Sequence, residues 1–207
     1  MEIRTIFENA FYLLALLNPA SKIMFLASYE PALNRRENTE LAWKSSAAAL
    51  TILFLLAAAG NFLFSRVFRV ELYSLQITGG IIVFFIGLNA VQQGRFITKE
   101  TKGVRQNFTD ISLVPLAAPL IAGPGLIAAA ISLSVQYGLI SAMLSLTIAV
   151  AVNFGFMLFA LPINRVLDRT HILGPLIRLT GLIIAAIAVQ MTLSGICTYV
   201  RTALQTA

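Results

Sequence analysis

Two short runs place proline, small residues and polar groups in the middle of apolar stretches. In the first, Asn18-Pro19 is followed by Ser21 and Lys22; in the second, Ala122-Gly123-Pro124-Gly125 interrupts a stretch made otherwise mainly of Leu, Ile, Val and Ala. Proline has no N–H and its ring clashes with the carbonyl one turn back, so a helix that reaches Pro19 should free carbonyls near Leu14 and Ala15. Such carbonyls can hold an ammonium group or a cation. Asn18 and Ser21 add short polar groups at similar depth, either as partners in that binding or as patches for the broken backbone. The second run has the opposite polarity. Glycine allows close approach of a ligand, and a helix restarting near Gly125 presents free N–H groups and the positive end of its dipole, which suits a carboxylate.

Lys22 is the one basic residue well inside an apolar stretch, and it has two readings: a cavity charge facing an anion, or a side chain snorkelling to the interface. Asn153 and Gln190 lie near the centres of two further stretches, where a neutral amide can touch a solute or a neighbouring helix. Thr78 and Thr180 share a Thr-Gly context that favours close helix packing, with each hydroxyl bonded back to its own helix.

The elements that must position these residues are membrane helices. Of the 207 residues 58% are hydrophobic and 12% charged, and the mean hydropathy is +0.84, a make-up far from that of a soluble domain. A spanning helix needs about 20 mostly apolar residues. Such runs occur at Ile6 to Ser28, Ala42 to Ser65, Val70 to Gln93, Ser112 to Ser134, Ser141 to Pro162 and Pro175 to Tyr199, predicting six spans. The first is expected to be retained rather than cleaved, because Glu2 and Glu8 stand where a signal peptide carries positive charge. The fold class expected is therefore all-α, a single polytopic transmembrane domain over 1–207.

The net charge of +6 reflects topology and not nucleic acid, since no aromatic platform or recognition motif accompanies the basic residues. Alternate connections hold Arg35, Arg36 and Lys44, then Arg95, Lys99, Lys102 and Arg105, then Arg165, Arg169 and Arg178, against Arg4, Arg66, Arg69 and Arg201 on the other side. The richer side is expected to be cytoplasmic, with both termini outside. Tyr29, Trp43, Tyr73, Tyr137 and Tyr199 fall near span ends as interface anchors.

The second half echoes the first. Ser65-Arg66-Val67 recurs as Asn164-Arg165-Val166, and Ile77-Thr78-Gly79-Gly80-Ile81-Ile82 as Leu179-Thr180-Gly181-Leu182-Ile183-Ile184, with Pro19 and Pro124 at nearly the same offset. Three spans per half would invert one copy relative to the other across the membrane. The division expected is repeat one 1–94, a connecting loop 95–111 and repeat two 112–207, with the first helix of each repeat broken at proline. Opposed halves would bring both breaks to one midplane interface.

Other chemistries lack their residues. His171 and Cys197 are the single histidine and cysteine, and neither paired carboxylates nor a nucleophile elbow occurs, so no metal site and no enzyme is expected. No Asp or Glu lies deep in a span. A proton relay would need an end residue, Lys22 or the solute itself, and sodium on unwound carbonyls stays equally open as the coupling ion.

The stretches Val114-Pro115-Leu116-Ala117-Ala118-Pro119-Leu120-Ile121-Ala122-Gly123-Pro124-Gly125-Leu126-Ile127 and Ile187-Ala188-Val189-Gln190-Met191, with Asn18-Pro19 and Thr78-Gly79-Gly80, resemble the MarC family of six-helix membrane proteins, also called the neutral amino acid transporter family and placed in the LysE exporter superfamily. The resemblance covers nearly the whole chain. It implies a bacterial inner-membrane protein with outward termini, related to archaeal carriers of small neutral amino acids, and the superfamily points to export. Ser21 and Met24 stand where the family pattern has glycine and a further proline. The function expected is a secondary transporter for a small zwitterionic solute, working by alternating access, with a site drawn from Asn18, Pro19, Ser21, Lys22, Ala122, Gly123, Pro124, Gly125, Asn153 and Gln190. A non-transporting scaffold or lipid-handling protein, or a passive channel, stays open beside it. Gly79, Gly80 and Gly87 permit tight packing, either within the chain or in a homo-oligomer.

Overall fold

The computed structural model describes residues 3–27, 33–67, 69–94, 122–163 and 173–206. Every regular element among them is helical: α1 Ile3–Leu17, α2 Pro19–Ala27, α3 Arg35–Phe62 running into a π-helical turn Leu63–Val67, α4 Leu72–Gln93, α5 Pro124–Tyr137, α6 Leu139–Leu158 and α7 Leu173–Thr206. The connecting loop 95–111, the first half of the expected fourth span, His171 and the Asn164-Arg165-Val166 echo lie outside the described residues.

Among the described residues five segments are long and apolar enough to cross a bilayer: Ile3–Leu26, Arg35–Gly60, Leu72–Gln93, Leu139–Leu158 and Gly174–Gln205. The sixth expected span is represented by α5 alone. Its 14 residues give a helix of about 21 Å, short of the roughly 30 Å hydrocarbon core. Large apolar side chains such as Phe11, Leu55, Phe85, Ile140, Leu182 and Leu204 are exposed along the helices, as a lipid solvent requires. The protein is an integral, multi-pass membrane protein.

Helix ends depart from the hydropathy-based boundaries where polar caps intervene. α3 starts at Arg35 and not at Ala42, because Asn34 and Glu37 form a reciprocal capping box: the Glu37 N–H donates to Asn34 Oδ1 at 2.9 Å and the Asn34 N–H to Glu37 Oε2 at 2.8 Å. α7 continues beyond Tyr199 to Thr206, its hydroxyls at Ser194, Thr198 and Thr202 bonded back one turn. Gly138, at φ 85°, separates α5 from α6, a backbone angle that residues with a Cβ rarely adopt.

Packing is organised by small residues, as expected where lipid offers no hydrophobic drive to bring helices together. α4 and α7 pack most extensively and run antiparallel. A Cβ on Gly195 would meet the Tyr73 carbonyl at 2.9 Å, one on Gly80 the Ala188 carbonyl at 2.8 Å, and one on Gly87 the Gly181 carbonyl at 2.7 Å. Gly80 and Gly87 are thus used within the chain. Thr180 donates to the carbonyls of Leu176 and Ile177, the back-bonding expected of it. A second body joins α1, α3, α5 and α6 around Leu13, Leu17, Leu53, Leu126, Ala130, Leu146 and Met157, all buried.

Candidate functional site

At the first break the helix stops at Leu17, Asn18 turns left-handed at φ 52°, and Pro19 opens α2. A short polar residue tolerates that angle better than most. Of the carbonyls that the proline is expected to free, the one at Leu14 is paired. The Asn18 N–H still donates to the Leu14 carbonyl at 3.0 Å. The Asn18 carbonyl accepts both the Ser21 N–H at 3.1 Å and the Ser21 hydroxyl at 2.8 Å. The Leu17 carbonyl accepts from the Lys22 ammonium.

Lys22 is 2% exposed, so it neither snorkels nor opens to solvent. It folds back to cap the negative end of α1, where a cation is favoured by the helix dipole. No carboxylate pairs with it among the described residues; the ion pairs there are Arg4 with Glu8 and Lys44 with Glu40. The chain's own ammonium and hydroxyl thus take up the Leu17 and Asn18 carbonyls at this break.

The second break is built differently. Gly123 is the N-cap of α5 with extended backbone and no side-chain cap, and Pro124 fills the first helical position. The Ile127 N–H reaches the Gly123 carbonyl at 3.0 Å. The N–H groups of Gly125 and Leu126 stand before the first intrahelical bond and have no capping side chain. Ala122, Gly125 and Leu126 are buried, Gly123 is half-buried and Pro124 exposed.

Gly125 is also a packing residue, since its Cβ would sit 2.0 Å from Val83 Cγ2 on α4. Further along α5, Ser132 accepts from Gln76 of α4 and from Gln136, which fixes this half-helix against α4. The two breaks share one apolar cluster: Leu17 before the first, Ala122 and Leu126 around the second.

Of the two mid-span amides, Asn153 is fully buried, with its Nδ2 donating to Met157 Sδ at 3.3 Å and its Oδ1 without a partner among the described residues. Gln190 is exposed on the face of α7 turned away from α4, and the structure does not bring it to the breaks. Its place at mid-span says nothing of helix rotation, which packing against α4 decides.

Asn38 and Ser46 escaped sequence reasoning. Both are buried on α3; Asn38 Nδ2 donates to the Met157 carbonyl at 3.0 Å and Ser46 Oγ lies 4.0 Å from Met157 Sδ. Hydropathy treated residues before Ala42 as a connection. The Asn34-x-x-Glu37 spacing was the available signal that the helix begins earlier and carries Asn38 inward.

Comparison with known proteins decides the family. The family model described as MarC family integral membrane protein matches residues 3–200. The chain belongs to the MarC family. It is 32% identical to membrane protein PH0214 of Pyrococcus horikoshii over 193 residues, covering 93% of this chain and 94% of that one. It is 30% identical to membrane protein YhcE of Escherichia coli over 210 residues, covering 94% and 95%, and 28% identical to membrane protein YvbG of Bacillus subtilis, covering 89% and 90%. No solved structure matches the chain.

Proposed function

We propose that this MarC-family protein is a secondary transporter for small neutral amino acids or similar zwitterionic solutes, working in the export direction by alternating access. The observation that carries this reading is the uncapped start of α5 at Gly123-Pro124-Gly125, flanked by the buried Ala122 and Leu126 of the same core as a second proline break. Broken backbone persists at membrane depth only against protein or a wet cavity, and half-helix N-termini in transporters point at anionic substrate groups. The Gly125 and Leu126 amides would hold the solute carboxylate, with Lys22 adding positive charge on the other side of the shared core.

Two inverted three-helix repeats would account for the packing. Under that relation α3 is the counterpart of α6 and α4 of α7, and both pairs are in contact; α2 against α6 is the counterpart of α5 against α3, since α2 and α5 each begin at the proline, and both of those contacts occur too. The charge asymmetry supports a bacterial plasma membrane orientation with both termini outside. A reporter fused after Ala207 that is active only in the cytoplasm would overturn that orientation.

Counterflow of labelled glycine and alanine in proteoliposomes tests the assignment, with Gly123→Asp as the diagnostic variant. An aspartate at the N-cap would bond the same amides that the solute carboxylate needs. Saturable counterflow that is lost in this folded variant is expected. Counterflow that survives it removes the second break from the site, flux without saturation favours a passive channel, and no flux with any amino acid favours the scaffold class.

A further inference from the structure

Lys22 and Ser21 donate to the Leu17 and Asn18 carbonyls at the first break, and elsewhere two buried side-chain oxygens have no donor among the described residues. Asn153 is 0% exposed and Asn38 is 2% exposed, and the Oδ1 of each has no hydrogen-bond partner among the described residues. Their Nδ2 groups are both used at one end of α6, Asn153 donating to Met157 Sδ at 3.3 Å and Asn38 to the carbonyls of Met157 at 3.0 Å and Leu158 at 3.4 Å. Ser46 Oγ also faces Met157 Sδ at 4.0 Å, donating its hydrogen and keeping its lone pairs. Ser46 of α3 and Asn153 of α6 thus meet the side chain of a methionine that is itself fully buried, while Asn38 holds its backbone carbonyl.

An acceptor in a water-free interior that lacks a donor is costly, and natural chains keep few of them. A leucine would fill the place of Asn153 without that cost. What satisfies spare acceptors is a hydrogen-bond donor or a cation. The ligand set here is neutral amide and hydroxyl oxygen; among the described residues no group of three His, Cys, Asp or Glu could hold a metal, and the carboxylates that divalent ions require are absent. The charge that fits is single. The thioether contacts are weak, and methionine repacks cheaply, so Met157 can yield the amide and hydroxyl to an incoming ion.

We propose that Asn153 and Ser46 form a seat for a monovalent cation, a dehydrated alkali ion or the ammonium group of the solute, with Asn38, about 12 Å from Ser46 along α3, positioning the seat through its hold on the Met157 backbone. Its place between α3 and α6 is the interface where transporters built from repeats hold solute and coupling ion. The role in transport rests on the function proposed above, whereas binding itself does not, and the two can fail separately.

The test uses the purified full chain in detergent and reads its melting temperature together with the emission of Trp43. That residue is the chain's single tryptophan and packs edge-on against Phe154, next to Asn153, at 6.1 Å. Sodium, lithium and potassium chloride, and methylammonium chloride, are compared with choline chloride at equal ionic strength. One of the small cations is expected to raise the melting temperature by several degrees and to change Trp43 emission, both saturably. A response to an alkali ion identifies the seat as a coupling-ion site, and a response to methylammonium alone identifies it as the solute amine site.

Asn153→Leu should abolish the response and melt higher than the unmodified chain in choline. If that variant does not fold, Ser46→Ala and Asn38→Ala, which should each weaken the response, take its place. Identical melting in every salt, or a cation response that persists undiminished in the variants, overturns the proposal. Loss of counterflow activity with an intact cation response would instead count against the transport reading and leave the seat standing.

Discussion

The two proline breaks look alike in sequence and are opposite in physical state. At Asn18-Pro19 a helix ends, and the carbonyls of Asn18 and Leu17 are taken up locally by the Ser21 hydroxyl and the Lys22 ammonium. At Gly123-Pro124 a helix begins, and the amides of its first turn have no side-chain cap. A chain can supply donors to a helix C-terminus from a serine or lysine one turn onward. The second break has only glycine, proline and apolar residues around it, from Ala122 to Ile127, and so has no acceptor of its own to offer. Helix polarity and neighbouring residue types therefore give one break donors from its own next turn and leave the other without a side-chain acceptor.

The largest effect is expected from closing the second break by force. Gly125→Leu should destabilise the protein by at least about 3 kcal/mol, the upper end for overpacking, because its Cβ alone would overlap Val83. Val83→Ala in the same chain should recover part of that loss in a denaturant titration in detergent. No recovery would mean that Gly125 matters for something other than its contact with α4.

Closing it chemically should act on function and not on the fold. Gly123→Asp should lower counterflow at least about tenfold, equivalent to roughly 1.4 kcal/mol of lost affinity, while thermal stability holds or rises by a few tenths of a kcal/mol. Equal loss of flux and stability would erase the distinction drawn between the breaks.

At the first break the effects are smaller and purely structural. Asn18→Ala should cost about 1 kcal/mol for a left-handed residue without a short polar side chain, and Asn18→Gly should be near neutral at φ 52°. Ser21→Ala should cost about 0.5 kcal/mol, the lower limit for a lost hydrogen bond, because the Ser21 N–H continues to bond Asn18. Melting curves of the purified variants order these predictions; a Ser21→Ala loss exceeding that of Asn18→Ala would show that the hydroxyl, and not the backbone angle, holds the break.

Much of the fold was legible because its causes are local. Hydropathy and length located the spans from which α1, α3, α4, α6 and α7 form. Proline's missing N–H fixed where α2 and α5 begin, at Pro19 and Pro124. The back-bonding of Thr180 and the close packing at Gly80 and Gly87 likewise follow from side-chain size and reach. Hydropathy failed at the start of α3, where a polar capping box carries the helix beyond its apolar stretch.

What the chain alone determined, then, is which segments enter the bilayer and where their backbone must break, since both follow from the lipid solvent and from the covalent chemistry of proline. Tertiary structure decided where each polar group ends up: Lys22 on the end of α1, Gln190 exposed on α7, and the oxygens of Asn38 and Asn153 near Met157 with no donor among the described residues. The partner of a buried polar group can lie more than a hundred residues away, as Met157 does from Asn38. Only helix rotation and register in the packed bundle bring such groups together or keep them apart.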